Sequence, residues 1–268
     1  MKTGTIKKCL GLYIIFLSQL HLIISAPRKG NPDEWGSEFQ GDIKIPRSRN
    51  GLRSQGSRWP NGIVPYEFGT NLVCIRYNTP EHKKPVVLKA METYHNLTDN
   101  CIQFVERTDE TDFVVFVERE SGCWSYVGKI GGRQEINYPQ WCIDNFGSAL
   151  HELYHCLGFL HEQSRPDRDD YVEIVWDNIK EVSKHNFNSY GTNFLDTFEE
   201  DYDYGSIMHY SPYAFAIDYE EYTIKTKASK SFTHLDPEYQ DVIGQRKGLS
   251  DTDLQKLLKM YNCPNADS

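Results

Sequence analysis

One run of residues fixes more of this chain's geometry than any other: His151-Glu152-Leu153-Tyr154-His155-Cys156-Leu157-Gly158-Phe159-Leu160-His161. On a helix, side chains four positions apart stand one above the other, so His151 and His155 aim their imidazoles at one point. Two neutral imidazoles at that spacing suit a zinc ion, and Glu152, between them, reaches water on it. Gly158 lets the chain leave the helix through backbone angles closed to other residues, and the turn brings His161 in as a third nitrogen ligand. Three protein imidazoles leave a position open for water, which hydrolysis requires. The short His-Glu-x-x-His pattern arises by chance often enough; the form extended by Gly158 and His161 is far stricter.

The rest of the chain has to house that run. Its 268 residues, 25% charged, 39% hydrophobic and 13% aromatic, are ample for a buried core and exclude collagen-like, coiled-coil and disordered readings. Lys and Arg total 29 against 38 Asp and Glu, a net charge of −9 with no basic block, which argues against nucleic acid or an anionic membrane as partner.

Lys2, Lys7 and Lys8 precede an apolar run from Leu10 to Ile24, followed by the small residues Ser25 and Ala26. This reads as a secretory signal over residues 1–26, too short and interrupted for a membrane span. No later segment is apolar enough to cross a bilayer. With Cys9 lost in the signal, Cys74, Cys101, Cys123, Cys142, Cys156 and Cys263 remain for an oxidising compartment, with fifteen possible pairings. Asn96-Leu97-Thr98 is a glycosylation sequon that fits an extracellular location.

Residues 27–58, rich in Pro, Gly, Ser and Arg, read as an extended leader rather than a folded unit. The folded part begins at Trp59. Strands are expected at Ile63–Phe68, Ile102–Val105, Phe113–Val117 and Trp124–Val127. Helices are expected at Pro80–Leu97, with Val86, Val87, Ala90, Met91 and Tyr94 on one face, at Ala149–Phe159 and at Asp251–Tyr261. Strands and helices mix in the first half and loops dominate the second. That predicts an α+β protein of two lobes with the histidine run between them.

The run and its continuation, Glu162-Gln163-Ser164-Arg165-Pro166-Asp167-Arg168-Asp169, resemble the astacin family of metzincin endopeptidases. So do Cys101-Ile102-Gln103-Phe104, Gly122-Cys123-Trp124-Ser125-Tyr126-Val127-Gly128, Asp241-Val242-Ile243-Gly244-Gln245-Arg246 and Ser206-Ile207-Met208-His209-Tyr210. Matches run from about Trp59 to Cys263. The chain ends five residues later, so the added binding modules of larger relatives are expected to be absent.

The resemblance implies a two-lobed fold, with a twisted mixed sheet and two helices above and a mostly irregular lower lobe ending in a helix. It implies one zinc ion per subunit on His151, His155 and His161, with Tyr210 a distant further ligand that moves in turnover and Met208 an apolar floor. Glu152 would be the general base in peptide-bond hydrolysis. It pairs Cys101 with Cys263 and Cys123 with Cys142; Cys74 and Cys156 either pair with each other or stay free. Arg246 would face the residue after the cut and favour an acidic one.

Phe39-Gln40-Gly41-Asp42 resembles the family's latency motif, in which the aspartate takes the metal in place of water. A protease cutting after Arg49 would release a domain of residues 50–268 from a leader of residues 27–49, and the ammonium of Asn50 would pair with Glu162. The alternative from a different class is a zinc-bound recognition module that keeps the fold and lacks activity. Intact Glu152, histidines and Tyr210 argue against it.

Overall fold

The computed structural model describes residues 29–45, 55–69, 83–119, 121–227 and 237–264. The expected signal segment, Asn50 and Cys74 lie outside the described residues. The short strand β1 (Ile43–Lys44) belongs to the leader. The strands β2 (Ile63–Phe68), β3 (Gln103–Glu106), β4 (Phe113–Val117), β5 (Ser125–Tyr126) and β6 (Arg133–Asn137) build the upper lobe. Four of them form one sheet in the order β3-β2-β4-β6, every pair parallel, while an antiparallel bridge between Trp124 and Asn137 supplies the mixed character at its edge. The central strand β4, Phe-Val-Val-Phe-Val, is buried throughout, the uninterrupted apolar run that a strand covered on both faces requires.

Helix α1 (Lys83–Leu97) lays Val87, Ala90, Met91 and Tyr94 on this sheet, all buried. A short helix α2 (Gln140–Ile143) leads into α3 (Phe146–Cys156), which carries the first two histidines. The Tyr94 hydroxyl donates to the Leu150 carbonyl at 2.8 Å, fixing α1 against α3. Helix α3 starts three residues before the sequence expectation because Asn145 caps it, accepting from Gly147 N–H. It stops earlier because Gly158 turns away at φ +116, a conformation that β-carbon-bearing residues rarely adopt.

The lower lobe is mostly irregular, as expected. A two-stranded antiparallel pair, β7 (Val172–Ile174) with β8 (Ile224–Thr226), anchors it, next to the short helix α4 (Pro237–Gln240). Helix α5 (Asp251–Tyr261) closes the chain. Ser250 caps it by accepting from Asp253 N–H, and Asn262 ends it in the left-handed conformation. Disulfides join Cys101 to Cys263 and Cys123 to Cys142. Cys156 is a buried free thiol, so of the two states open for it from sequence the structure adopts the unpaired one.

The leader departs from the expectation of an unfolded extended segment. Residues 29–45 thread the cleft, with Asp33, Glu34, Gln40 and Asp42 all buried and β1 parallel to β5 on the upper lobe. Periodicity does not reveal this, because the segment buries polar side chains rather than an apolar stripe.

Candidate metal centre

The three histidines converge. Ring centroids lie 4.7 Å apart for His151–His155 and His155–His161, and 5.3 Å for His151–His161. Each Nδ1 meets an oxygen that can only accept: the Ile207 carbonyl for His151 at 2.8 Å, the Phe159 carbonyl for His155 at 2.7 Å, and the Gln40 side-chain oxygen for His161 at 2.8 Å. Nδ1 therefore carries the proton and each Nε2 turns a lone pair inward. Burial pushes His161 down to about 3 and lowers His151 as well, keeping both rings neutral.

Asp42 enters this space from the leader. Its Oδ2 is 3.0 Å from His151 Nε2 and 3.2 Å from His161 Nε2, and its Oδ1 is 3.5 Å from His155 Nε2. Lone pairs facing a carboxylate in a fully buried cluster repel unless a cation lies between them. Asp42 Oδ1 and His155 Nε2 have no hydrogen-bond partner, and the four ligand atoms lie within 4.8 Å of one another. Three neutral imidazoles and one carboxylate suit zinc, so the residues present fit one such ion.

Glu152 sits beside the cluster, buried, with neither carboxylate oxygen hydrogen-bonded. Burial, reinforced by Asp42 and Asp33, pushes its carboxyl well above the usual range. The Tyr210 ring lies 4.6 Å from that of His161, and its hydroxyl donates to the Gln40 backbone carbonyl at 2.5 Å. Met208 is buried, and its carbonyl accepts from Glu162 N–H.

Arg246 is buried rather than exposed in the cleft, because the leader covers it. Its guanidinium donates to Asp33, with Nη2 2.6 Å from Oδ2, and Ser148 Oγ donates to Asp33 Oδ1 at 2.6 Å. Burial pushes the Asp33 carboxyl up, but the charge and hydrogen bonds of Arg246 outweigh it and hold it at about 2. Gly147 makes room here: a β-carbon on it would stand 1.9 Å from the Arg246 carbonyl oxygen. The neighbouring Glu34 receives Ser211 N–H at 2.5 Å and Ser211 Oγ at 2.6 Å.

Glu162, the expected partner of the Asn50 ammonium, is a buried carboxylate that other groups already compensate. Lys256 Nζ lies 2.9 and 2.8 Å from its two oxygens, Arg165 Nη1 donates at 3.1 Å and Asp203 N–H at 3.0 Å. Burial raises the Glu162 carboxyl, but Lys256 and Arg165 bring it below its usual value. Lys256, Asp33, Glu34, Ser148 and Ser211 all escape the sequence reading, as does the contact of Gln40 with His161. The one usable signal was the acidic pair Asp33-Glu34 in a leader otherwise rich in basic residues.

Comparison with known proteins follows the same lines. Residues 51–262 match the family model described as Astacin, a family of peptidases. Human meprin A subunit beta is 42% identical over 231 residues, which is 85% of this chain and 30% of that protein. The zinc metalloproteinase nas-4 of Caenorhabditis elegans is 38% identical over 218 residues, 81% of this chain and 62% of that one. The chain thus spans only about 30 to 62% of the length of these relatives. Among solved structures, high choriolytic enzyme 1, a hatching enzyme zinc-protease from Oryzias latipes, superposes with a TM-score of 0.67 at 34% identity. That match covers 80% of this chain and all of that one.

Proposed function

Since the chain belongs to the astacin family of zinc metallopeptidases, we propose that it is a secreted endopeptidase made in latent form. In this reading residues 1–26 direct export, residues 27–49 hold the enzyme silent, and residues 50–268 form the peptidase domain. The observation that carries it is the convergence of His151, His155, His161 and Asp42 on one buried point beside an unpartnered Glu152. Among the described residues no helix is long and apolar enough to cross a membrane.

Zinc held by the three histidines would supply Lewis acidity and a water of lowered pKa. Glu152 takes the proton from the attacking water and passes it to the leaving amine. Its raised proton affinity suits a group that must hold a proton between those steps. The Tyr210 hydroxyl donates to the oxyanion; its present bond to the Gln40 carbonyl is the kind of contact that role demands. Met208, buried in the core, would form the apolar floor beneath the ligands. Asp42 fills the site until a protease cuts near Arg49. Arg246 then receives an acidic side chain following the scissile bond, since a guanidinium pairs with carboxylate in two-pronged geometry. Asn96, exposed on α1, takes a glycan.

The test is direct. Processed protein is assayed on a protein substrate with and without a chelator, and metal content is measured alongside. Glu152→Gln should keep its zinc while losing roughly 10²–10⁴-fold in kcat. Full activity of that variant, or a protein without bound zinc, sinks the reading.

A further inference from the structure

Asp33 and Glu34 are adjacent acidic residues buried side by side, each met by donors that belong to the body of the domain rather than to the leader. Asp33 has the Arg246 guanidinium, through Nε and Nη2, and the Ser148 hydroxyl. Glu34 has a cup made by one residue: the Ser211 backbone N–H reaches Oε1 and the Ser211 hydroxyl reaches Oε2. The donors are themselves fixed. Arg246 Nη1 donates to the His209 and Gln245 carbonyls, and Arg246's backbone lies against Gly147. The leader adds only internal contacts from Asn31 to Glu34, and Asn31 Nδ2 donates to the Gly244 carbonyl. Asp33 Oδ2 lies 4.0 Å from His151 Nε2, but no hydrogen bond in this set runs to a metal ligand.

We propose that the cleft carries a second, metal-independent binding site for two neighbouring carboxylates. Arg246 with Ser148 takes one and Ser211 takes the other, and the leader's Asp33-Glu34 pair is its built-in ligand. Once the leader departs, the Arg246 guanidinium and the Ser148 and Ser211 donors face the opened cleft, fixed in place to receive another acidic peptide. The site then takes peptides with consecutive acidic residues, substrate or inhibitor alike. This deepens the reading of Arg246 as a specificity residue and rests on it for the substrate. The new element is Ser211 as the receptor of a second carboxylate.

Two measurements test it. In the intact chain, amide hydrogen exchange is followed over residues 31–35 with and without a chelator. Stripping the metal should leave those amides protected, whereas Ser211→Ala and Glu34→Gln should each speed their exchange about tenfold or more, the worth of a hydrogen bond to a charged group. In the processed enzyme, a synthetic peptide of residues 29–40, which lacks Asp42, should inhibit cleavage. Its Glu34→Gln version should inhibit about tenfold less well, and the two peptides should become equivalent against Ser211→Ala. Unchanged exchange in both variants, or equal inhibition by both peptides on the wild-type enzyme, overturns the proposal. The exchange measurement reads no catalysis, so it stands even if the chain proves inactive.

Discussion

The side-chain oxygen of Gln40 lies 2.8 Å from Nδ1 of His161, so the leader supplies the outer hydrogen bond of one histidine in the metal cluster. His151 and His155 take theirs from backbone carbonyls of the domain itself. Such outer partners fix the ring and its tautomer and raise ligand basicity. Gln40 is itself held, its amide nitrogen donating to Ser164 Oγ and its backbone N–H to Asn186. Gln40→Ala in the uncut chain should weaken zinc affinity by about 10–100-fold, measured by competition with a chromophoric chelator. An affinity equal to wild type would mean that His161 needs no partner.

Two separate anchors predict a graded loss of latency. Asp42→Ala in the uncut chain frees the metal cluster but leaves Asp33 on Arg246 and Glu34 on Ser211. Peptide cleavage before processing should therefore appear at a level below that of the processed enzyme, and adding Asp33→Asn should raise it further. Full activity from Asp42→Ala alone would show the acidic pair to be inert in latency.

Asp253 gives a pH test away from the histidines. It is buried on α5 and accepts from Ser206 Oγ at 2.6 Å and Ile207 N–H at 2.8 Å, with Asp203 and Lys256 as its charged neighbours. Burial pushes its carboxyl up to about 6, the hydrogen bonds only partly opposing it. Between the unfolded value of 3.8 and 6 the folded chain holds a proton that the unfolded chain has lost, so this group's contribution falls as pH rises through that window. Relative to Asp253→Asn, the wild type should lose about 2 kcal/mol between pH 4 and pH 7, read from urea unfolding of both proteins. A pH-independent difference would contradict the raised value.

Cys156 should be silent in the native protein. It is fully buried, and burial pushes its thiol up to about 12, leaving almost no thiolate at neutral pH. Alkylation at pH 8 should modify it only after denaturation, and denatured, unreduced chain should show at least one titratable thiol. Rapid native labelling at Cys156 would be inconsistent with this packing.

Much of the architecture was legible because its signals are local. Phe113–Val117 announces a buried strand by its unbroken apolar run, and His151, His155, Gly158 and His161 announce their own convergence through helix period and turn. What escaped depends on contacts far apart in sequence. Nothing near Glu162 reveals that Lys256, 94 residues on, neutralises it, and nothing near Asp33 reveals Arg246 at a separation of 213. Apart from Asp42, which the motif resemblance points to the metal, the leader's packing is illegible for a related reason: burial by hydrogen-bonded carboxylates leaves no periodic pattern, because each polar group is satisfied individually.

The bond between Cys101 and Cys263 makes most of the domain a covalent ring of 162 residues' separation. A single backbone nick anywhere within that ring opens it without releasing a fragment. The domain can thus be cut once between β3 and the end of α5 and still travel as one molecule, with His151, His155 and His161 kept in the same covalent assembly.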